Sequence, residues 1–158
     1  MSETLAKELQ QYISGRTVVL GIGNPLRGDD AVGTMLAERL SKEKNFTGVA
    51  TEEMPENFTG VVRDKNPQTI ILVDAIDFSG EPGDVVLMET VEFENRFSSH
   101  RPSLGLLMHY LSTEIKAKVL LLGIQPKRTD YHSPLSNEVK ETLLKLEKIF
   151  KGLSKTRT

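Results

Sequence analysis

The sequence predicts a single α/β domain built on a twisted, mainly parallel five-stranded sheet with helices on both faces. Short runs that are apolar throughout alternate with segments of helical periodicity, a pattern typical of a parallel sheet covered on both sides. The chain has 158 residues, enough for one good core and too few for two ordinary domains. We therefore predict one domain over residues 1–158, with residues 1–16 as an N-terminal helical extension and residues 154–158 as a frayed tail.

Each element is predicted from local pattern. Apolar, β-branched runs bounded by turn signals predict strands over residues 17–22, 48–52, 69–75, 84–88 and 118–124. The third is the clearest, because four consecutive apolar residues lie between Pro67 and an acidic turn. Apolar side chains at helical spacing predict helices over residues 3–13, 30–43, 57–65, 104–111 and 137–150. Asp29 is well placed as the N-cap of the second of these helices.

The composition excludes several classes of protein. Lys and Arg number 20 against 22 Asp and Glu, a formal net charge of -2, so the basic stripe typical of a nucleic-acid-binding module is not expected. No apolar run approaches the roughly 20 residues that cross a bilayer, and the start lacks the layout of a secretory signal. The absence of cysteine excludes disulfides and thiol nucleophiles. We expect a cytoplasmic protein that neither binds nucleic acid nor inserts into membranes.

Ligands of parallel sheets gather at the carboxyl ends of the strands, which directs attention to the segment after the first strand, GIGNPLRGDDAVG (residues 21–33). A dinucleotide fingerprint would require glycine where Leu26 stands, and Asp29 and Asp30 would repel a pyrophosphate at the helix N-terminus. These carboxylates would instead attract a cation. The alternative is that they only cap the helix.

Two further residues extend this candidate site. Asp74 ends the third strand, where a partly desolvated carboxylate requires a partner cation or hydrogen-bond donors, unless it only caps the backbone in an Asx turn. His100 lies in a loop before a predicted helix, a position where a lone histidine is more often on the surface. Two carboxylates and an imidazole would form a three-ligand metal site with room for an exogenous ligand. Asp77 is expected to be solvated, and His109 and His132 are expected to have packing or surface roles.

Four motifs in order resemble those of the NiFe-hydrogenase maturation proteases over about residues 17–153: residues 21–33, LVDA at 72–75, Ser99-His100, and GIQP at 123–126. These endopeptidases remove a C-terminal extension from the hydrogenase large-subunit precursor after nickel insertion. The subgroup that acts on formate-hydrogenlyase-type or related membrane-bound hydrogenases is the nearest. The resemblance implies that Asp30, Asp74 and His100 bind the metal and share in catalysis, with their individual roles open. It also implies that Ni²⁺ is carried by the substrate, in a site that other divalent metals could occupy.

The chain departs from the family after its second strand. Where a glycine-containing stretch implicated in substrate recognition is frequent, this sequence has the candidate substrate-binding residues Thr51, Glu52, Glu53 and Met54. Two roles for nickel stay open: it is either only the feature by which the precursor is recognised, or it polarises the scissile carbonyl or activates water, with Asp30 or Asp74 as general base. Two alternatives remain: a non-proteolytic nickel-sensing or metal-binding accessory module of hydrogenase assembly, and a nucleotide-binding α/β domain.

Overall fold

The computed structural model describes residues 2–97 and 99–156. The five strands are β1 (Thr17–Ile22), β2 (Phe46–Glu52), β3 (Thr69–Ala75), β4 (Val85–Glu89) and β5 (Lys118–Ile124). Six α-helices accompany them: α1 (Ser2–Tyr12), α2 (Val32–Arg39), α3 (Thr59–Asp64), α4 (Thr90–Phe97), α5 (Pro102–Thr113) and α6 (Asn137–Thr156). Two short 3₁₀ helices, Gly28–Ala31 and Pro55–Phe58, precede α2 and α3. No helix in these described ranges combines the length and apolar character that crossing a membrane requires.

The strands form one sheet in the order β2-β1-β3-β5-β4. Pairs β1–β2, β1–β3 and β3–β5 are parallel, and only β4 runs antiparallel, against β5. The mainly parallel five-stranded sheet is therefore confirmed. The strand order changes direction between β1 and β3, which places a topological switch point at the carboxyl ends of these two strands.

Two apolar cores cover the two faces of the sheet. On one face, helices α1, α2 and α6 contribute buried side chains such as Leu9, Leu36 and Phe150. On the other face, α3, α4 and α5 contribute residues such as Phe93 and Met108. Strand β3 lies between the cores and is buried along all seven residues, which explains the four consecutive apolar residues at positions 70–73. The prediction of helices on both faces is confirmed.

Helix α4 was not predicted. Its sequence, TVEFENRF, contains only one buried residue, Phe93, whose ring stacks on Phe97 at a centroid distance of 5.7 Å. The helix follows β4 directly, without the glycine or proline that marks most boundaries. A single anchoring aromatic residue does not produce a helical period, so this element depends on contacts with α5 and the sheet.

The chain terminus differs from the predicted frayed tail, because α6 continues to Thr156. Ser154 is buried, and its carbonyl oxygen accepts a hydrogen bond of 2.9 Å from the side-chain amide of Asn45. This long-range contact holds the last turn against the start of β2. Residues 157 and 158 of the predicted tail lie outside the described residues.

Candidate active site

The switch point is built from the ends of β1 and β3 and the turn that follows β1. Two glycines let this turn approach the strands closely. Gly23 has φ 138°, and a Cβ there would lie 1.8 Å from the carbonyl oxygen of Asp30. A Cβ at Gly33 would lie 2.2 Å from the carbonyl oxygen of Val73. The start of α2 therefore rests on the strand ends, which brings Asp30 towards Asp74.

Asp30 lies in the 3₁₀ helix Gly28–Ala31 and is partly exposed. Its Oδ2 accepts a hydrogen bond of 2.8 Å from the backbone N–H of Asn24. Neither this 3₁₀ helix nor α2 has a side-chain cap, so Asp30 does not cap a helix. Since the Asn24 N–H already has a carboxylate partner, the turn does not offer that group to a phosphate.

Asp29 corrects the sequence prediction, because it is not the N-cap of α2. That helix begins at Val32, after the 3₁₀ helix. The Asp29 side chain is fully buried and faces the loop between β5 and α6. It accepts hydrogen bonds from the backbone N–H groups of Lys127 (2.8 Å), Arg128 (3.1 Å) and Ser136 (2.7 Å), and from the Ser136 hydroxyl (2.9 Å). The first aspartate of the pair thus anchors a loop, and the second faces the switch point.

Asp74 is the most buried carboxylate of the candidate metal-binding residues, with 1% of its surface exposed. Its Oδ2 lies 2.6 Å from Nη2 of Arg101. Burial raises the pKa of Asp74 to about 7, and the negative charge of Asp30 acts in the same direction, while Arg101 opposes them. A pKa near neutrality suits a side chain that transfers protons.

His100 is exposed in the turn after α4, where its backbone N–H donates to the carbonyl oxygen of Phe97 at 3.0 Å. Together with Arg101 it borders two grooves, of about 710 Å³ and about 330 Å³. The larger groove is also lined by Asp77, Phe78 and Arg96. The smaller one extends to Glu53 and Glu56. Both grooves meet at the segment that carries His100 and Arg101.

The structure brings Asp30 towards Asp74, because the turn that carries Asp30 packs against the ends of β1 and β3. The negative charge of Asp30 also raises the pKa of Asp74. In residues 2–97 and 99–156, no group of three or more His, Cys, Asp or Glu side chains is arranged to hold a metal ion. His100 therefore borders the site without completing a three-ligand set, and the guanidinium of Arg101 is the cation that Asp74 contacts.

The four candidate substrate-binding residues differ in what they can contact. Thr51 is buried, and its hydroxyl donates to the carbonyl oxygen of Gly21 at 3.0 Å. The carbonyl oxygen of Glu52 accepts from the N–H of Gly23 at 2.7 Å. Glu53 accepts a hydrogen bond from the Asn24 side chain and lines the smaller groove. Met54 is half exposed, and the side chains of Glu52 and Glu53 are exposed as well, so Thr51 is the one of the four whose side chain is buried away from a partner.

Sequence reasoning missed Arg101 and Gln125. The sequence indicated that Asp74 needs a cation or donors, and the arginine next to His100 was the available signal. Gln125 is buried, and its Oε1 accepts from the N–H groups of Phe78 (2.9 Å) and Gly80 (3.0 Å), which fixes the loop beside the larger groove. Nothing in the sequence signals that role. His109 and His132 are exposed, in agreement with the surface positions allowed for them.

The fold and this site define an α/β protein with an acidic switch-point site between two grooves. A sequence model described as hydrogenase maturation protease (HycI) matches residues 31–152. The Escherichia coli K12 hydrogenase 3 maturation protease is 28% identical over 130 residues, covering 80% of this chain and 83% of the relative. A Methanocaldococcus jannaschii protein, itself assigned to hydrogenase maturation proteases by inference, is 33% identical over 151 residues, with 89% and 88% covered.

Solved structures of hydrogenase maturation proteases are also similar to this chain. The crystal structure of the NiFe hydrogenase maturation protease HycI from Thermococcus kodakarensis has a TM-score of 0.84 and 29% identity, covering 96% of this chain and 99% of that one. The solution structure of the endopeptidase HycI from Escherichia coli has a TM-score of 0.75 and 27% identity, with 87% and 90% covered. The chain belongs to the hydrogenase maturation protease family, and its class is that of a peptidase.

Proposed function

We propose that this protein is the endopeptidase that removes the C-terminal extension from a nickel-loaded NiFe-hydrogenase large-subunit precursor, and that Asp30, Asp74 and His100 recognise the nickel. One observation carries this proposal. The turn that carries Asp30 packs against the end of β3, the strand that carries Asp74, beside two grooves that meet at His100. The family membership supplies the class of reaction.

The type of hydrogenase is proposed from the relatives. The Escherichia coli relative is named for hydrogenase 3, and the HycI structure from Thermococcus kodakarensis has a higher TM-score (0.84) than the HybD structure from the same organism (0.65). These values favour a precursor of the formate-hydrogenlyase or related membrane-bound type. The cysteine-free composition is compatible with the reducing cytoplasm, which is the compartment that we propose.

No group of three or more His, Cys, Asp or Glu side chains is arranged to hold a metal ion among the described residues, so Asp30, Asp74 and the bordering His100 would add ligands to nickel that the substrate already holds. Carboxylate and imidazole are ligands that a borderline divalent metal accepts, and a chain without cysteine has no thiolate that would withdraw the ion from the precursor. When bound, nickel would supply polarisation of the scissile carbonyl or an activated water. Asp74 exchanges a proton near neutral pH because burial raises its pKa to about 7, so it is suited to accept a proton during hydrolysis. The grooves beside Arg101 would hold the polypeptide on either side of this carboxylate.

The test is cleavage of a purified large-subunit precursor prepared with and without nickel, followed by the mass of the C-terminal extension. We expect shortening only of the nickel-loaded precursor. The variants Asp30→Asn, Asp74→Asn and His100→Ala should each lose at least 100-fold in rate, the lower range for removing a group that acts in proton transfer. Asp64→Asn and His109→Ala alter exposed side chains that line neither groove and should cleave at the normal rate.

Three results would contradict the proposal. Equal cleavage of the nickel-loaded and nickel-free precursors would show that nickel is not recognised. Normal rates for Asp30→Asn, Asp74→Asn and His100→Ala would place the site elsewhere. Tight binding of the nickel-loaded precursor with no change in its length would favour the non-proteolytic nickel-sensing module instead.

A further inference from the structure

The guanidinium of Arg101 contacts the carboxylate of Asp74, which the proposed function assigns to nickel binding. Its Nη2 lies 2.6 Å from Oδ2 of Asp74, which is shielded from solvent. The side chain of Arg101 is itself 40% exposed and borders both grooves. The guanidinium therefore joins a carboxylate shielded from solvent to the open space of both grooves.

A divalent ion and this guanidinium compete for the same carboxylate. Two cations held against one buried carboxylate repel each other, and the repulsion is stronger at a buried site than in water. A free ion that binds Asp74 must first displace Arg101 from a short, charge-assisted hydrogen bond. A nickel ion presented by a polypeptide has an additional source of binding energy, because the polypeptide also gains contacts in the grooves.

We propose that Arg101 is a specificity-determining residue that keeps Asp74 closed to free divalent ions and releases it to nickel held by the precursor. This inference rests on the proposed function. Metal recognition thereby becomes conditional on the polypeptide that carries the metal. The free protein then does not take up the nickel that it is meant to find in its substrate.

Helix α5, which follows Arg101, does not require the Arg101 side chain. Arg101 is the residue before α5, and no side-chain hydrogen bond caps that helix. Pro102 at the first position already has the backbone angle that a helix start requires. Shortening Arg101 therefore leaves α5 in place and changes the charge that faces Asp74.

The experiment is a calorimetric titration of the full chain with Ni²⁺ alone at pH 8. We expect Arg101→Ala to bind Ni²⁺ at least tenfold more tightly than the wild-type protein. Adding Asp74→Asn to that variant should abolish the gain, because the gain arises at Asp74. Arg96→Ala is the matched control, since Arg96 lines the larger groove but pairs with Glu92 at 3.5 Å, and its affinity should stay within twofold of wild type.

Several results would overturn the inference. These are equal or weaker Ni²⁺ binding by Arg101→Ala, no binding by either protein, a gain that survives Asp74→Asn, or an equal gain in Arg96→Ala. Arg101→Gln keeps most of the stem without the charge and should repeat the gain if the alanine variant does not fold. Cleavage of nickel-loaded precursor by the wild-type protein is measured separately. If the wild-type protein cleaves the precursor but Arg101→Ala does not change the affinity for Ni²⁺, only this inference is wrong. If the wild-type protein does not cleave the precursor, the proposed function is wrong.

Discussion

Asp29 and Ser136 are held together by two hydrogen bonds across 107 residues of sequence, from the Ser136 N–H at 2.7 Å and from its hydroxyl at 2.9 Å. Both residues are buried. The Asp29 N–H in turn donates to the carbonyl oxygen of Arg128 at 2.9 Å. The loop between β5 and α6 is thus fastened to the 3₁₀ helix that carries Asp30, so the position of a candidate catalytic residue depends on a distant loop.

This arrangement predicts that the neighbouring aspartates differ sharply in their effect on stability. Asp29→Ala leaves four donors without their acceptor, two of them buried and two partly buried, and should lower the free energy of unfolding by about 3 kcal/mol or more. Asp30→Ala is the control and should cost less than about 1 kcal/mol, because Asp30 is partly exposed and its Oδ2 accepts one backbone hydrogen bond. Urea denaturation measures both values. Equal losses would contradict the assigned roles.

The raised pKa of Asp74 predicts a specific dependence of stability on pH. The fold favours the protonated form, so the contribution of Asp74 is fully present below about pH 4. It is lost as the pH rises through the folded pKa of about 7. Asp74→Asn cannot ionise and should gain stability relative to wild type between pH 4 and 7, by at most about 4 kcal/mol. Denaturation at pH 4, 5.5 and 7 tests this.

Asp77 provides a control whose pKa shift, and therefore its effect on the pH dependence of stability, is opposite to that of Asp74. Hydrogen bonds from Ser79 and Gln125 lower the pKa of Asp77, so its contribution is present above the unfolded pKa and is lost as the pH falls through the folded pKa. Asp77→Asn should therefore become less stable relative to wild type as the pH rises through the acidic range. A pH-independent difference between wild type and Asp74→Asn would contradict the buried, ion-paired position of Asp74.

Docking of nickel-loaded precursor should tighten as the pH rises from 6 to 8. A carboxylate must lose its proton to bind a metal, and burial raises the pKa of Asp74 to about 7. Below that value, affinity should fall up to about tenfold per pH unit. Surface plasmon resonance with nickel-loaded and nickel-free precursor separates this effect from general changes, because the nickel-free form should show little change. The same slope for both forms would exclude Asp74 as its source.

The close approach of the turn to the strands makes Gly23 intolerant of substitution. A Cβ at this position would lie 1.8 Å from the Asp30 carbonyl oxygen, and φ is 138°, so Gly23→Ala should destabilise the fold by several kcal/mol or displace Asp30. Gly152→Ala is the control, because a Cβ there meets nothing within 4 Å inside α6. It should raise the unfolding free energy by up to about 1 kcal/mol. Thermal unfolding of both variants measures the contrast.

The hydrogen bonds of Gln125 predict that its substitution loosens the loop beside the larger groove. Gln125→Ala removes the acceptor for the N–H groups of Phe78 and Gly80, so these amides should exchange with deuterium faster than in wild type. Gln68→Ala removes a comparable acceptor, for the Arg16 N–H, at the opposite end of the sheet. It should leave the exchange of Phe78 and Gly80 unchanged. Unchanged exchange in Gln125→Ala would show that other contacts hold this loop.

The sequence by itself determined the elements whose burial is continuous or periodic. Strand β3 is buried on both faces and is therefore apolar from Ile70 to Val73, and its predicted bounds, like those of β1 and β5, match the structure. The strand ends in turn indicated where Asp30 and Asp74 would lie. Helix α4 escaped prediction because its single buried residue, Phe93, creates no period.

Only the tertiary structure decided what adjacent residues do. Asp29 and Asp30 have the same side chain, yet one is buried under the β5–α6 loop and the other faces the switch point. Likewise, the structure gives Asp74 a guanidinium from Arg101 as its neighbour, whereas sequence reasoning had named a metal ion shared with Asp30 and His100. The physical reason is that apolar periodicity reports burial along the chain, while a carboxylate's partner comes from whichever distant segment the packed sheet brings against it.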